Sequence, residues 1–471
     1  MKNKSLTKGI ISVLIANLIN LIFNLLTNFL LPKYLSIDTY AGIKTFQLYC
    51  SYIGLLHLGY IDGMFLKYGG KDLLEIKKQD LSVNLSTLRI FQLLVTIPVF
   101  IIGALLKDVV TISFACSIVP LNMASYFKFL YQSVGEFERY GKVMNLVTGA
   151  TFAINFFLLF VLKTDSLPMY LTAYLIVNLT IWIILEIQIQ EVADISINCG
   201  KFSIRELHSS IKGGILLMVG NFTSTLLSSM DRWFVKLLLN VTDFAQYSFA
   251  VSVESVINVA VTPISVTLYN YFCKHENDIA VIKKSKSYVT LFTTLVVAAV
   301  FPAKLIIELF LTDYLGAMSV AFYLFAAQII YIIIQAIYVN LYKAKHKQNK
   351  YFSKLCMVIV SGILLNIVCF WVWKTKEAFA FGTMLSAMVW LILSEYDFKE
   401  IRYSLIEYLY LAIEIVVFLI CGLHMNAVIG LIIYFAVTIC MDFVIYKNSI
   451  RDIFYLTTSC LKKRRIVQGK K

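Results

Sequence analysis

The residues best placed to do chemistry in this chain are the ionisable ones that interrupt otherwise apolar sequence. Asp231-Arg232-Trp233-Phe234-Val235-Lys236 puts one acid and two bases into a single short segment. Arg232 and Lys236 are four apart, so on a helix they share a face where like charges repel. That face suits a wet cavity or an anion, while Asp231, about 100° around the helix, points toward a different neighbour. The structural alternative is that Lys236 snorkels to the edge of the apolar layer and Asp231 only neutralises Arg232. Glu254 reads either as a proton or cation site or as the countercharge to Arg232. Lys304 and Glu308 have i,i+4 spacing, which favours a structural pair over a cavity role. Lys44 and Asp62 either reach the edges of their apolar segment or touch a substrate, and Asn17 and Asn221 supply amide hydrogen bonds. His57 and His424 stand alone, and the nine cysteines include no Cys-x-x-Cys pair. Neither a metal site, a disulfide set nor a cofactor is expected, and the cysteines read as small buried hydrophobes.

The elements that must hold these groups follow from composition. Of 471 residues, 59% are hydrophobic and 15% charged, with a mean hydropathy of +0.78. Soluble domains are roughly 45–50% apolar and about 25% charged, so soluble enzymes, nucleic-acid binders and secreted disulfide scaffolds are excluded. The apolar residues fall in blocks of bilayer-spanning length. The pattern predicts an all-α integral membrane protein of about fourteen transmembrane helices. Lys44 and Asp62 lie in the span 41–65, Arg232 and Lys236 in 213–238, Glu254 in 245–272, and Lys304 and Glu308 in 288–312. The first run, 9–32, leads into Pro32-Lys33-Tyr34-Leu35 without a small-residue cleavage pattern and reads as a span, not a signal peptide. Ionisable groups inside a span cost about 2.5–3.5 kcal/mol or more at the centre, so they mark polar pathways.

The net charge of +14 acts as a topology signal. With both termini on the cytoplasmic side, the outer side holds only Lys33, Lys107, Lys163, Lys374 and Lys376, and most other basic residues fall inside. All connections are short, so function must arise among the helices. The tail containing Lys462-Lys463-Arg464-Arg465 reads either as a basic helix on the anionic leaflet or as a disordered anchor.

The chain also repeats itself. Lys8-Gly9 falls on Lys212-Gly213, Ala16-Asn17 on Gly220-Asn221, and Ile37-Asp38-Thr39-Tyr40-Ala41 on Val241-Thr242-Asp243-Phe244-Ala245. In a slightly longer register Leu130-Tyr131 falls on Leu341-Tyr342, Tyr140 on Tyr351 and Asn155 on Asn366. Two six-helix repeats in the same orientation are expected, followed by two C-terminal helices, an arrangement typical of secondary transporters. The predicted divisions are an N-terminal lobe at 1–187, a cytoplasmic linker at 188–212, a C-terminal lobe at 213–395, an extra helix pair at 396–446 and a basic tail at 447–471. Pro98, Pro120, Pro263 and Pro302 lie within spans, where each permits a bend.

Leu31-Pro32-Lys33-Tyr34-Leu35, Asp38-Thr39-Tyr40-Ala41-Gly42 and Leu58-Gly59-Tyr60-Ile61-Asp62-Gly63 resemble the first two helices of bacterial polysaccharide flippases. Asp231-Arg232, Asp243-Phe244-Ala245-Gln246-Tyr247-Ser248 and Tyr131-Gln132-Ser133-Val134-Gly135 are similar to that family's later motifs, with Ala41 a minor departure from its more frequent Gly. The resemblance implies the multidrug, oligosaccharidyl-lipid and polysaccharide exporter superfamily. Within it, the implied function is a flippase of undecaprenyl-pyrophosphate-linked oligosaccharides in the bacterial cytoplasmic membrane, with the glycan polymerase as a further partner. It carries over Arg232 and Asp231. Lys236, Asn17 and Asn221 would add hydrogen bonds to a substrate whose hydroxyls and charges cannot cross hydrocarbon unaided. No ATP-binding motif is present, so energy must come from an ion gradient, the membrane potential or consumption of product. The competing readings are a cation-coupled multidrug exporter, a lipid II flippase, and, from a different class, a membrane glycan polymerase or glycosyltransferase. The short outer loops disfavour the last.

Overall fold

The structure, a computed structural model, describes residues 19–193, 201–275 and 277–452. Asn17 and the basic run at 462–465 lie outside the described residues, as does the Lys8-Gly9 end of the repeat. Helices and short turns make up the described chain, with no strand among the described residues. Among the described residues, ten helices are long and apolar enough to cross a membrane, or twelve if each of two interrupted pairs is one span. The chain is thus an all-helical, multi-pass membrane protein. Among the described residues the count stays below the expected fourteen, because the first run is described only from residue 19 and the run at 41–65 is not one helix.

The described chain divides into two compact units, 1–229 and 230–471. The first holds α1 (19–34), α2 (Ile37–Ser51), α3 (Tyr60–Tyr68), α4 (Lys78–Leu106), α5 (Val109–Ser133), α6 (Phe137–Phe156), α7 (Leu167–Ala193) and α8 (Ile204–Leu227). Its core gathers Tyr60, Met64, Leu85, Met123, Tyr126 and Phe127. Helix α4 shows how a bilayer inverts the usual pattern. It buries Leu81, Leu85, Leu88 and Gln92 and exposes Leu93, Ile97, Ile101 and Leu105 at the same period, since lipid tails accept an apolar outer face. Polar groups find each other: buried Asn122 donates to buried Gln92 at 2.6 Å, and half-buried Arg89 pairs with half-buried Glu186 of α7 at 2.5 Å.

Between α2 and α3 the chain turns through left-handed backbone at Leu58 (φ 50°) and Gly59 (φ 83°). Gly59 adopts this conformation without a Cβ clash, whereas Leu58 carries the strain of a side chain there. Helices α3 and α8 then approach backbone to backbone. A Cβ on Gly63 would sit 1.9 Å from the Ser210 carbonyl oxygen, and one on Gly214 would sit 2.0 Å from that of Gly59. Helix α8 stops at Leu227 because its last turns are rich in hydroxyls. Thr223, Thr225 and Ser229 each donate to the carbonyl four residues back, a competing bond that loosens the helix.

The second unit holds α9 (Met230–Leu238), α10 (Val241–Glu254), α11 (Asn258–Lys274), α12 (Ile279–Val296), α13 (Val300–Phe310), α14 (Ala317–Ile333) and α15 (Asn340–Ala344), then α16 (Gln348–Trp373), α17 (Lys376–Asp397), α18 (Leu405–His424) and α19 (Ala427–Ile445). The nearly all-buried α14 is its centre. Phe301 of α13, Phe322 of α14, Phe418 of α18 and Tyr434 of α19 form one aromatic cluster with centroids 5.2–5.9 Å apart, which seats the extra pair on the unit. The repeat is visible in the caps. Ser36 accepts the Thr39 N–H at the start of α2, and Asn240, at the matching position before α10, accepts that of Asp243. Such caps contribute about 1 kcal/mol each.

Of the four prolines expected within spans, Pro98 and Pro120 sit in uninterrupted helices. Pro263 follows a 47° bend between α10 and α11, and Pro302 follows the turn Val297–Ala299. The described cysteines are free, but only Cys369 and Cys421 are buried and Cys273, Cys356 and Cys440 are exposed. This corrects their reading as uniformly buried hydrophobes: a thiol on a lipid-facing helix surface is as compatible with a bilayer as one in the core.

Candidate functional site

Each unit places a group of polar side chains within its apolar helices. In the first, the break between α2 and α3 opens a cavity of about 340 Å³ lined by Ser51, Tyr52, His57, Asp62, Asn221 and Phe222 among others. Asp62, in the first turn of α3, is 5% exposed and accepts a hydrogen bond from Asn221 Nδ2 of α8 at 3.2 Å. Tyr52 and Ser229 share a hydrogen bond of 2.5 Å, and the Tyr52 ring meets the edge of Phe222 with centroids 6.1 Å apart. His57 is buried; its Nδ1 accepts the Gly59 N–H at 3.2 Å and lies 3.9 Å from Asp62 Oδ2. Among the residues lining this cavity there is one carboxylate and no Lys or Arg. A neutral sugar hydroxyl or a small cation meets acceptors here.

Lys44 is buried in α2 and donates to Asn28 Oδ1 of α1 at 3.3 Å. Its ammonium also lies 5.3 Å from the Tyr40 ring centroid, a cation–π distance. Lys44 and Asp62 are both buried against neighbouring helices. The two are directed to different neighbours, Lys44 to α1 and Asp62 to α8.

In the second unit, α9 carries Asp231 in its first turn, where the carboxylate is buried. Tyr247 Oη of α10 donates to Oδ2 at 2.6 Å, and the Arg232 N–H donates to Oδ1 at 2.8 Å. Asp231 is therefore held by a hydroxyl on another helix and a backbone amide. Arg232 is half-buried, and its buried Nε has no hydrogen-bond partner among the described residues. Lys236, one turn on, is half-buried with its ammonium 5.5 Å from the Phe244 ring centroid. Glu254, at the end of α10, accepts a hydrogen bond from Gln328 Nε2 of α14. The structure gives Glu254 an amide partner on α14.

Lys304 has the expected i,i+4 contact with Glu308 at 3.8 Å. It also donates to the carbonyls of Gly422 and Met425 at 2.8 and 2.7 Å, so its charge caps the C-terminal end of α18. The sequence pattern did not single out Tyr52, Ser229 or Gln328, because neutral polar residues in apolar runs carry no charge signal. His57 stands alone in the sequence and carries no signal there; a left-handed turn brings it beside Asp62.

No protein-family model matches this sequence, and no curated protein does. Solved structures do resemble the fold. The lipid II flippase MurJ in an inward closed conformation superposes with a TM-score of 0.66 at 15% identity, over 93% of this chain and 100% of that one. An inward-facing multidrug resistance MATE family transporter of the MOP superfamily gives 0.64 at 11% identity, over 81% and 95%. The eukaryotic MATE transporter AtDTX14 gives 0.51 at 14% identity, over 84% and 95%. At these identities the likeness is one of fold, which this chain shares with all three solved proteins.

Proposed function

We propose that this protein is a flippase that carries undecaprenyl-pyrophosphate-linked oligosaccharide repeat units across the bacterial cytoplasmic membrane by alternating access, for capsule, O-antigen or exopolysaccharide synthesis. The observation that carries the reading is Arg232. A guanidinium within the apolar layer, with an unpartnered Nε and Lys236 one turn away on the same helix, is suited to a pyrophosphate, which offers charge-assisted hydrogen bonds. Asp231 takes its hydrogen bonds from Tyr247 and the Arg232 amide, not from the guanidinium. Asn221 and Asp62 offer hydrogen bonds to sugar hydroxyls, while the prenyl tail stays in lipid. The orientation set by the basic loops puts both termini in the cytoplasm, and the polymerase would receive the flipped unit outside.

The test is deletion of the gene and complementation with Arg232→Ala. The expected result is loss of surface polysaccharide, with the variant still present in the membrane and a complete lipid-linked repeat unit accumulating on the inner leaflet. Normal polysaccharide in the variant removes Arg232 from the mechanism, and unpolymerised units on the outer leaflet indicate a polymerase instead. A second reading, export of cationic compounds, is favoured by the lone carboxylate among the residues lining the first unit's cavity. Drug resistance on expression with unchanged surface glycan would select it.

A further inference from the structure

Helices α18 and α19 carry two carboxylates that the proposed transport path does not use. Glu414, midway along α18, is fully buried, and Asp442 of α19 is buried as well. The two helices are neighbours joined at Met425-Asn426. Thr438 Oγ1 donates across the seam to Glu414 Oε2 at 2.8 Å, and Tyr410 Oη donates to Asp442 Oδ1 at 2.6 Å. Tyr410 and Glu414 are i,i+4 on α18, as Thr438 and Asp442 are on α19, so the carboxylates sit about one turn apart along one seam. Helix α12 packs beside them, its Thr294 carbonyl accepting from Tyr434 Oη at 2.8 Å and its Thr294 hydroxyl lying 3.4 Å from Tyr410 Oη. The Tyr434 hydroxyl also faces Glu414 but gives its one hydrogen to the Thr294 carbonyl, and the remaining oxygen, Glu414 Oε1, has no hydrogen-bond partner among the described residues.

The charged groups on the surrounding elements are engaged elsewhere. Lys286 of α12 donates to the Ile401 carbonyl at 2.5 Å and covers the Tyr403 ring. Lys304 of α13 caps Gly422 and Met425 beside Glu308, and Gly422 is eight residues beyond Glu414, about 12 Å along a helix. Glu395 of α17 takes Tyr338, Tyr408 and the Tyr403 N–H, with Arg402 at 3.8 Å. Glu407 of α18 takes the Ser404 N–H and Tyr446. Helix α14 meets α18 through Phe322. Glu414 and Asp442 thus have no ion-pair partner among the described residues.

Two unneutralised carboxylates one turn apart in an apolar seam resist joint ionisation. Hydroxyl donors already cover Oε2 of one and Oδ1 of the other, and what Oε1 lacks is a hydrogen. A proton supplies it without further volume or ligands. We propose that Glu414 is a reversible protonation site, with Asp442 the carboxylate that biases it, and that the α18–α19 pair is the proton-coupling element of the transporter. The coupling part rests on the transport reading above; the protonation part does not.

The test is infrared difference spectroscopy of the protein in lipid nanodiscs between acidic and alkaline buffer, which needs no substrate. The expected result is a carboxylic-acid carbonyl band that disappears as pH rises and is missing in Glu414→Gln. In Asp442→Asn the band persists but titrates at lower pH, since a neighbouring negative charge no longer opposes ionisation. An unchanged band in Glu414→Gln, or a Glu414 band that stays constant across the pH range, overturns the proposal. Loss of the band on adding sodium at fixed pH identifies an alkali-cation site instead and also overturns it. If Glu414→Gln fails to fold, the titration shift in Asp442→Asn decides. Failure of the glycan reading alone would leave the band and its titration intact.

Discussion

Gly63 of α3 and Ser210 of α8 meet so closely that a Cβ on Gly63 would lie 1.9 Å from the Ser210 carbonyl oxygen. Gly59-x-x-x-Gly63 on one helix faces Ser210-x-x-x-Gly214 on the other, the small-residue spacing by which membrane helices bring their backbones together. Without a hydrophobic drive between helices in lipid, this contact depends on van der Waals packing. It also positions Asp62 and Asn221, one on each helix, to share a hydrogen bond.

Gly63→Val and Gly214→Val should therefore separate α3 from α8, because the obstructing atoms are backbone and cannot rotate away. Overpacking typically costs about 1–3 kcal/mol, and a backbone obstruction places these variants at the upper end. Gly213→Ala, whose nearest neighbour is Gly63 Cα at 4.0 Å, should be tolerated. Thermal unfolding of the purified variants checks this; equal midpoints for Gly63→Val and wild type would contradict the contact.

Tyr247→Phe should destabilise the second unit by about 1–3 kcal/mol, the cost of leaving a buried acceptor without its donor. Asp231→Asn should cost a similar amount, because its single amide oxygen keeps only one of the two bonds that Oδ2 and Oδ1 accept, and its NH2 meets the other donor. A double-mutant cycle on unfolding free energy should show the two residues coupled by more than about 0.5 kcal/mol; strict additivity would deny the hydrogen bond its energetic role.

Lys304→Met keeps the aliphatic stem but removes both bonds to the α18 carbonyls. The expected effect is faster hydrogen exchange over the end of α18 and the Met425-Asn426 turn, with a stability loss of about 1–3 kcal/mol. Glu308→Gln, which disturbs only the longer contact at 3.8 Å, should change little. Similar exchange in both variants would mean that the ion pair matters more than the cap.

Asp62→Asn separates charge from structure. Asparagine can still accept from Asn221, so unfolding should shift by less than about 1 kcal/mol, while transport falls if the carboxylate itself meets substrate or ion. Asp62→Leu should lower both, since it strands the Asn221 amide. Full surface polysaccharide in Asp62→Asn, with stability intact, would assign Asp62 a purely architectural role.

Much of this protein was legible without coordinates. A bilayer demands long apolar helices and penalises buried charge, so composition and spacing reveal the helical membrane class and single out Arg232, Asp231 and Glu254. The repeat surfaces again in the paired caps of Ser36 and Asn240. Hydropathy, though, averages over about twenty residues and misses a left-handed turn at Leu58 or back-bonded hydroxyls before Met230. That is why the runs at 41–65 and 213–238 read as unbroken helices.

Which partner each polar group takes was decided only by the tertiary structure. Sequence spacing orders side chains around their own helix, so the Lys304–Glu308 pair was foreseeable. The carbonyls of Gly422 and Met425, more than a hundred positions away, were not. The same holds for Asp231 with Tyr247, Glu254 with Gln328, and His57 beside Asp62. Helical periodicity tells which face a residue occupies. Only the packing of one helix face against another tells what that face meets, and in lipid that packing is chosen by close steric fit.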